Sequence, residues 1–225
     1  MFDFLTPAMV DLLVEATRAT LYMVAVAGLI GTAIGLPLGV FLATSRSGEL
    51  FAAPWLNNAL GLVVNAARST PFIILVVAII PFTRLIAGTS IGTSAAIVPL
   101  TVAAAPFIAR LIEAAIREVD QGLVEAARAM GASPLQIVWK VLLPEALPAI
   151  TLALTLAVVS LIGYSAMVGA VGGGGLGDLG IRFGYQRFMP EVMAAVVIVL
   201  ILLVQAVQSA GDLLARRLDK RNRRG

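Results

Sequence analysis

Residues 19–45 read ATLYMVAVAGLIGTAIGLPLGVFLATS, with no charged side chain from Ala19 to Ser45. About 20 apolar residues cross the hydrocarbon core of a bilayer as a helix, so this stretch alone predicts a membrane span, placed near 21–43. Within it Gly31, Gly35 and Gly39 recur one helical turn apart. Small residues at that period let helix backbones approach closely in lipid. The partner across the seam is either another helix of the same chain or the matching helix of a second copy, and the sequence leaves both open. Pro37 predicts a local kink.

Outward from this stretch the pattern repeats. Leu50–Thr83 is uncharged except for Arg68, and Leu85–Ala109, Ala146–Gly177 and Val192–Gly211 carry no charge. They place further spans near 58–82, 89–110, 146–167 and 192–211, with the fourth ending at about Met167. The expectation is an all-α membrane protein of five transmembrane helices, one domain covering 1–225. Composition agrees: 60% of the 225 residues are hydrophobic and 13% are charged, against about a quarter charged in soluble domains. Mean hydropathy is +0.98.

Charge at the borders sets an orientation. Arg216, Arg217, Lys220, Arg221, Arg223 and Arg224 follow the last span, which predicts a cytoplasmic C-terminus by the positive-inside rule. Five crossings then put the N-terminus outside, and 44–57 and 111–143 inside. The central loop carries Arg117, Arg128 and Lys140 beside the border residue Arg110, with Glu113, Glu118, Asp120 and Glu125 among them. The basic tail reads as a topology determinant at anionic headgroups rather than a nucleic-acid site. Asp3, Asp11 and Glu15 precede the first basic residue, Arg18, the reverse of a secretory n-region, so the N-terminus is expected to be retained.

Absences exclude chemistry. Without Cys or His there is no disulfide, no thiolate nucleophile and no ordinary zinc site. Neither lysine, Lys140 or Lys220, follows a glycine, so a GxxxxGK[ST] phosphate loop cannot form. No Asp or Glu falls inside a predicted span, which disfavours proton or sodium coupling at midplane. Gly172–Gly177 fits GxGxxG formally, but no strand precedes it and it joins two spans. It reads as a flexible outer loop.

The loop between the third and fourth spans, 119–144, reads helix, stop, helix. Val119, Leu123, Ala126, Ala127 and Met130 form an apolar stripe at helical spacing. Gly131 suits the left-handed residue that ends a helix. Ser133, Pro134 and Gln136 then supply an N-cap, a first-position proline and a capping box. A helix pair of this kind on the cytoplasmic side is either a docking element or an amphipathic connector lying on the headgroups.

Glu125-Ala126-Ala127, three residues, Gly131, nine residues, then Val141-Leu142-Leu143-Pro144 resembles the EAA loop of ABC-importer permeases, departing from its I-x-L-P ending only at Val141. Further stretches are similar to the methionine-importer permeases, within the binding-protein-dependent transport inner-membrane components. They include Asn65-Ala66-Ala67-Arg68-Ser69-Thr70-Pro71-Phe72, Ala105-Pro106-Phe107-Ile108-Ala109-Arg110 and Gly163-Tyr164-Ser165-Ala166-Met167. The likeness covers roughly residues 15–215.

The resemblance implies a type I importer permease fold with a cytoplasmic coupling-helix pair. It implies a permease subunit that moves methionine, or a close neutral amino-acid analogue, across the bacterial inner membrane. The implied partners are a second copy of the chain, two cytoplasmic ATPase subunits, an extracytoplasmic substrate-binding lipoprotein and membrane lipid, with no nucleic acid. The chain is then not an enzyme and holds no cofactor, ATP and Mg²⁺ being used by the ATPase. The residues matching the coupling element are Glu125, Ala126, Ala127, Met130, Gly131, Ala132, Ser133 and Pro134.

Candidates for the path or gate are Arg68, Ser69, Tyr164, Ser165 and Met167. Arg68 is the one ionisable residue well inside a predicted span. It either meets a carboxylate in transit or serves the structure, with Asn65, Arg68 and Ser69 capping helix ends or pairing with Glu145 or backbone carbonyls. Tyr164, Ser165 and Met167 either line a gate or pack between helices. Arg84 and Thr89–Gly92 either contact the binding protein or end helices. The competing readings are a secondary transporter or channel acting alone and a non-transport membrane scaffold; EAA spacing separates the importer from both.

Overall fold

The computed structural model describes residues 7–219, and every regular element among them is a helix. In chain order these are α1 (Pro7–Thr44), α2 (Pro54–Ser69), α3 (Phe72–Ala78), α4 (Ile80–Ala87), α5 (Thr93–Arg117), α6 (Gln121–Ala129), α7 (Pro134–Ile137), α8 (Leu143–Gly169), α9 (Gly175–Leu179) and α10 (Pro190–Leu218). A π-helical turn, Val138–Leu142, joins α7 to α8, and a second, Gly180–Gln186, follows α9. Four helical stretches among the described residues are long and apolar enough to cross a membrane: Pro7–Thr44, Thr93–Arg117, Pro134–Gly169 and Pro190–Leu218. Counting the broken pair α2 and α3 as one makes five. Asp3 and the tail residues Lys220, Arg221, Arg223 and Arg224 lie outside the described residues.

Where the sequence predicts one helix over 58–82, the chain is divided. The ring of Pro71 excludes Thr70 from the helical region, and Pro71 itself adopts φ −56° and ψ 130°. A second interruption falls at Ile79, just before Pro81, which has no N–H to give to the preceding turn. The wide turn Val138–Leu142 has the same origin. Pro144 cannot bond back to the turn before it, and the N–H of Leu143 reaches instead to the Val138 carbonyl, five residues back.

Contacts gather the chain into two compact units. One comprises the chain up to Gly31, Thr70–Ala104 and Val158–Val207; the other comprises Thr32–Ser69, Ala105–Ala157 and the chain from Gln208. Each long helix contributes a stretch to each unit.

In the first unit, Leu176, Leu179, Val192 and Val196 form a buried cluster against which Met9, Leu13 and Ala16 pack. That stripe explains why α1 starts well before the charge-free run: its early turns carry Asp11, Glu15 and Arg18 on the exposed side. The loop expected to be flexible is instead close-packed. Gly172, Gly174 and Gly175 take positive φ, and the N–H of Leu176 donates to the Thr20 hydroxyl at 2.9 Å. A Cβ on Gly175 would lie 2.6 Å from both that hydroxyl and the Met23 methyl. The N–H of Gly92 donates to the Gly172 carbonyl at 2.8 Å, fastening the turn to the start of α5.

In the second unit the glycine seam of α1 faces α5 of the same chain. A Cβ on Gly35 would stand 2.7 Å from the Ala105 carbonyl oxygen, and one on Gly39 2.5 Å from that of Ala109. Lipid is as apolar as a leucine side chain, so close approach and hydrogen bonds hold such helices together more than water exclusion does. A polar lock stands beside the seam. The buried Asn57 amide donates to the Leu42 carbonyl at 2.8 Å and to the Ser45 hydroxyl at 2.9 Å, satisfying the C-terminal end of α1.

Candidate coupling loop and translocation residues

The candidate coupling element lies wholly in the second unit. Its first helix, α6, is started by the Asp120 carboxylate, which accepts from the Gly122 N–H at 2.8 Å. It ends at Met130 in a Schellman motif. Gly131 adopts φ 78°, its N–H donates to the Arg128 carbonyl at 2.9 Å, and the Ala132 N–H reaches the Ala127 carbonyl at 3.1 Å. The next helix opens on a capping box. The Ser133 N–H donates to the Gln136 side-chain oxygen at 2.9 Å, and the Gln136 N–H donates to the Ser133 hydroxyl at 3.4 Å. Pro134 fills the first position, where an N–H has no helical partner anyway.

This bend is rigid at its root and open at its tip. Val119, Val124, Ala127, Ile137, Val138 and Leu142 are buried and anchor it. Leu123, Met130 and Leu135 are exposed, Met130 to 81%. The apolar stripe expected from spacing therefore splits: Val119 and Ala127 face inward, whereas Leu123, Ala126 and Met130 face out, with Val124 taking the inward place. Glu125, Ser133 and Pro134 are exposed, and Ala132 is half-buried. An outward apolar tip rimmed by polar groups is the surface a partner would cover.

Behind the loop lies a charge cluster that spacing alone does not announce. Glu113 of α5 is 3% exposed and meets three arginines: Arg117 at 2.7 Å, Arg46 at 3.4 Å and Arg110 in direct contact. Arg110 also donates to the Asn65 side-chain oxygen at 2.7 Å. One carboxylate thus ties the loop after α1, the middle of α2 and the end of α5. Its legible trace is Arg110-Glu113-Arg117, one face of a helix at i, i+3 and i+7. Arg46 and Asn65 carry no such mark.

The path candidates fall in different units. Arg68 and Ser69 end α2 in the second. Arg68 is exposed and makes no ion pair among the described residues. The Ser69 hydroxyl donates to the Asn65 carbonyl at 2.8 Å. Tyr164, Ser165 and Met167 belong to α8 in the first. Tyr164 stacks on Phe72 with ring centroids 4.5 Å apart and 13° between planes. Ser165 is buried, its hydroxyl donating to the Ile162 carbonyl at 2.7 Å. Met167 is 46% exposed. Arg84 and Ser90 share a hydrogen bond of 3.2 Å near the end of α4, and the Thr89 hydroxyl accepts from the Ile91 N–H at 3.2 Å.

Residues 35–224, including this loop and most of the helices, match the family of binding-protein-dependent transport system inner membrane components. The chain belongs to that family. This permease is 60% identical over 211 residues to the probable D-methionine transport system permease protein MetI of Vibrio cholerae, an alignment spanning 94% of each chain. It is 48% identical over 217 residues to the probable D-methionine transport system permease protein MetI of Pasteurella multocida, spanning 96% of this chain and 100% of that one. A solved structure of the MetNI methionine ABC transporter in an inward-facing conformation matches with a TM-score of 0.94 at 52% identity, over 96% of this chain and 100% of the other. The protein is a multi-pass inner-membrane permease component with the type I importer fold, and ATP hydrolysis belongs to a separate ATPase subunit.

Proposed function

We propose that this chain is the transmembrane subunit of an ATP-driven importer for methionine or a close neutral amino-acid analogue. It acts as one permease domain over 1–225, with spans near 21–43, 58–82, 89–110, 146–167 and 192–211 and the loop 119–144 on the cytoplasmic side. The second span is broken at Pro71. The N-terminus lies outside and the basic C-terminus inside, as the arginines after α10 favour. Two copies pair around a shared pathway, since five helices are few for a private conduit. Two ATPases using ATP and Mg²⁺ seat on the α6–α7 bends, and a substrate-binding lipoprotein delivers the amino acid from outside.

The observation that carries the reading is the bend itself. It is fastened by a Schellman motif and a capping box, yet offers exposed Met130, Gly131, Ser133 and Pro134 and half-buried Ala132 at its tip, with Glu125, Ala126 and Ala127 in the helix leading to it. ATP-driven closure of the ATPases would move this tip, and the buried residues behind it would carry the motion into the helices. Arg68, Ser69, Tyr164 and Met167 are the residues assigned to the path. Ser165 is the fifth residue assigned to it, though its hydroxyl is spent within α8.

ATP-dependent uptake of labelled methionine into proteoliposomes holding permease, ATPase and binding protein tests the function. The expectation is uptake that needs all three, with Gly131→Asp abolishing co-purification of the ATPase. An active chain that transports without an ATPase partner would overturn the proposal.

A further inference from the structure

The last turn of α8 is completed by the glycine-rich turn that follows it. A helix leaves its final carbonyls without partners of its own. Here the N–H of Ala170 donates to the Met167 carbonyl at 3.1 Å, those of Val171 and Gly173 to the Val168 carbonyl at 3.0 Å, and that of Gly172 to the Gly169 carbonyl at 3.1 Å. Further along, the chain folds back over the same helix end. No Cβ has room at Gly169 against the Asp178 nitrogen, at Gly173 against the Val168 side chain, or at Gly177 against the Ala166 carbonyl. Met167 therefore stands between two residues that the turn grips, with its own side chain turned outward.

Two anchors from elsewhere in the first unit hold the turn. On one side the Gly92 N–H donates to the Gly172 carbonyl, a main-chain contact that no side-chain replacement removes directly. On the other the Leu176 N–H donates to the Thr20 hydroxyl of α1. Thr20 is 1% exposed and Leu176 is fully buried, so no solvent is at hand to replace that acceptor. Stranding a buried N–H costs more than the net contribution of the bond it loses.

We propose that Thr20 is a positioning residue for the outer gate: it clamps the glycine turn through Leu176, and the turn fixes the end of α8 and with it Met167. The proposal rests on the assignment of Met167 to the path. With the clamp in place, the end of α8 moves only together with α1 and the start of α5. The gate then opens by displacement of packed helices and not by loosening of the turn.

The test compares Thr20→Val, which keeps the shape and removes the acceptor, with Thr20→Ser, which retains it. Both are placed in the assembled permease, ATPase and binding protein in proteoliposomes. Hydrogen exchange at 170–178 reads the clamp alone, and should quicken about tenfold in Thr20→Val but not in Thr20→Ser. A thiol introduced by Met167→Cys reads the gate, unambiguously because the chain has no native cysteine. Its labelling by a membrane-impermeant maleimide should speed up severalfold when Thr20→Val is added. With Met167 intact, methionine uptake per ATP hydrolysed should fall severalfold in Thr20→Val and hold in Thr20→Ser. Unchanged exchange in Thr20→Val would overturn the clamp, and quickened exchange with unchanged labelling and coupling would overturn its link to the gate. Rates unmoved by Met167→Ala, beside quickened exchange in Thr20→Val, would take Met167 out of the path and leave the clamp standing. If Thr20→Val does not assemble, Gly173→Ala, whose Cβ pushes the turn off Val168, should give the same changes in both readouts.

Discussion

Replacing Glu113 by Gln keeps the shape of the side chain and removes its charge. The carboxylate is 4% exposed and is the shared anion of three guanidinium groups. Breaking a buried ion pair from one side costs about 3–5 kcal/mol, because the charge left behind is stranded. The arginines keep 52%, 26% and 33% of their side-chain surface, so water recovers part of that cost. An amide can also still accept one hydrogen bond. The expectation is therefore the lower end, about 3 kcal/mol. Arg46→Ala provides the contrast. Its contact is 3.4 Å and half-exposed, worth below about 1 kcal/mol, and two arginines stay on Glu113 without it. Reversible unfolding of the purified permease by SDS titration in dodecylmaltoside micelles reads both. Glu113→Asp, charged but one methylene short, should fall between them. Equal losses for Glu113→Gln and Arg46→Ala, or no measurable loss for either, would refute the cluster as the tie between α1, α2 and α5.

Other outcomes follow from the same geometry. Gly39→Val should lower the yield and thermal stability of folded permease by about 1–3 kcal/mol or more, since its Cβ meets the Ala109 carbonyl at 2.5 Å. Gly61→Ala, where nothing lies within 4 Å, should be neutral or up to about 1 kcal/mol stabilising in the same melts. Ser133→Ala removes one half of the capping box and should cost about 1 kcal/mol, seen as weaker ATPase retention on dilution but not as loss of the fold. Met167→Ala, if this side chain gates, should raise ATPase activity uncoupled from uptake; unchanged basal and stimulated rates would remove Met167 from the path.

Much of this was readable in one dimension because membrane helices announce themselves by missing charge. The stop at Gly131 and the box at Ser133–Gln136 were readable because caps are local chemistry. Other features were not. The first turns of α1 carry Asp11, Glu15 and Arg18, so a charge-based reading starts the helix late, whereas Met9, Leu13 and Ala16 keep a packed stripe there. The glycine-rich turn at 172–177 looks loose until Thr20 is found against Leu176, a partner far away in the sequence. Spacing put Leu123, Ala126 and Met130 on one apolar stripe with Val119 and Ala127, because periodicity finds a face without telling which way each part of it points. The three-arginine cluster lay half in view: its α5 members share a face, but Arg46 and Asn65 join only through the fold.

The seam at Gly35 and Gly39 has a mechanical meaning as well as a steric one. With α1 backbone pressed against the α5 carbonyls and the branched side chains of Ile108 and Ile112 set directly on its glycines, the seam has no α1 side chains there to shear. A helix pair without such a cushion moves as one beam. At one and the same end the beam runs into Arg46 and the Glu113 cluster and, through a few residues, into α6. A push on the coupling bend therefore meets something stiff straight away, and the compliance that a transport cycle needs must be sought where the chain is broken, at Pro71 and Ile79.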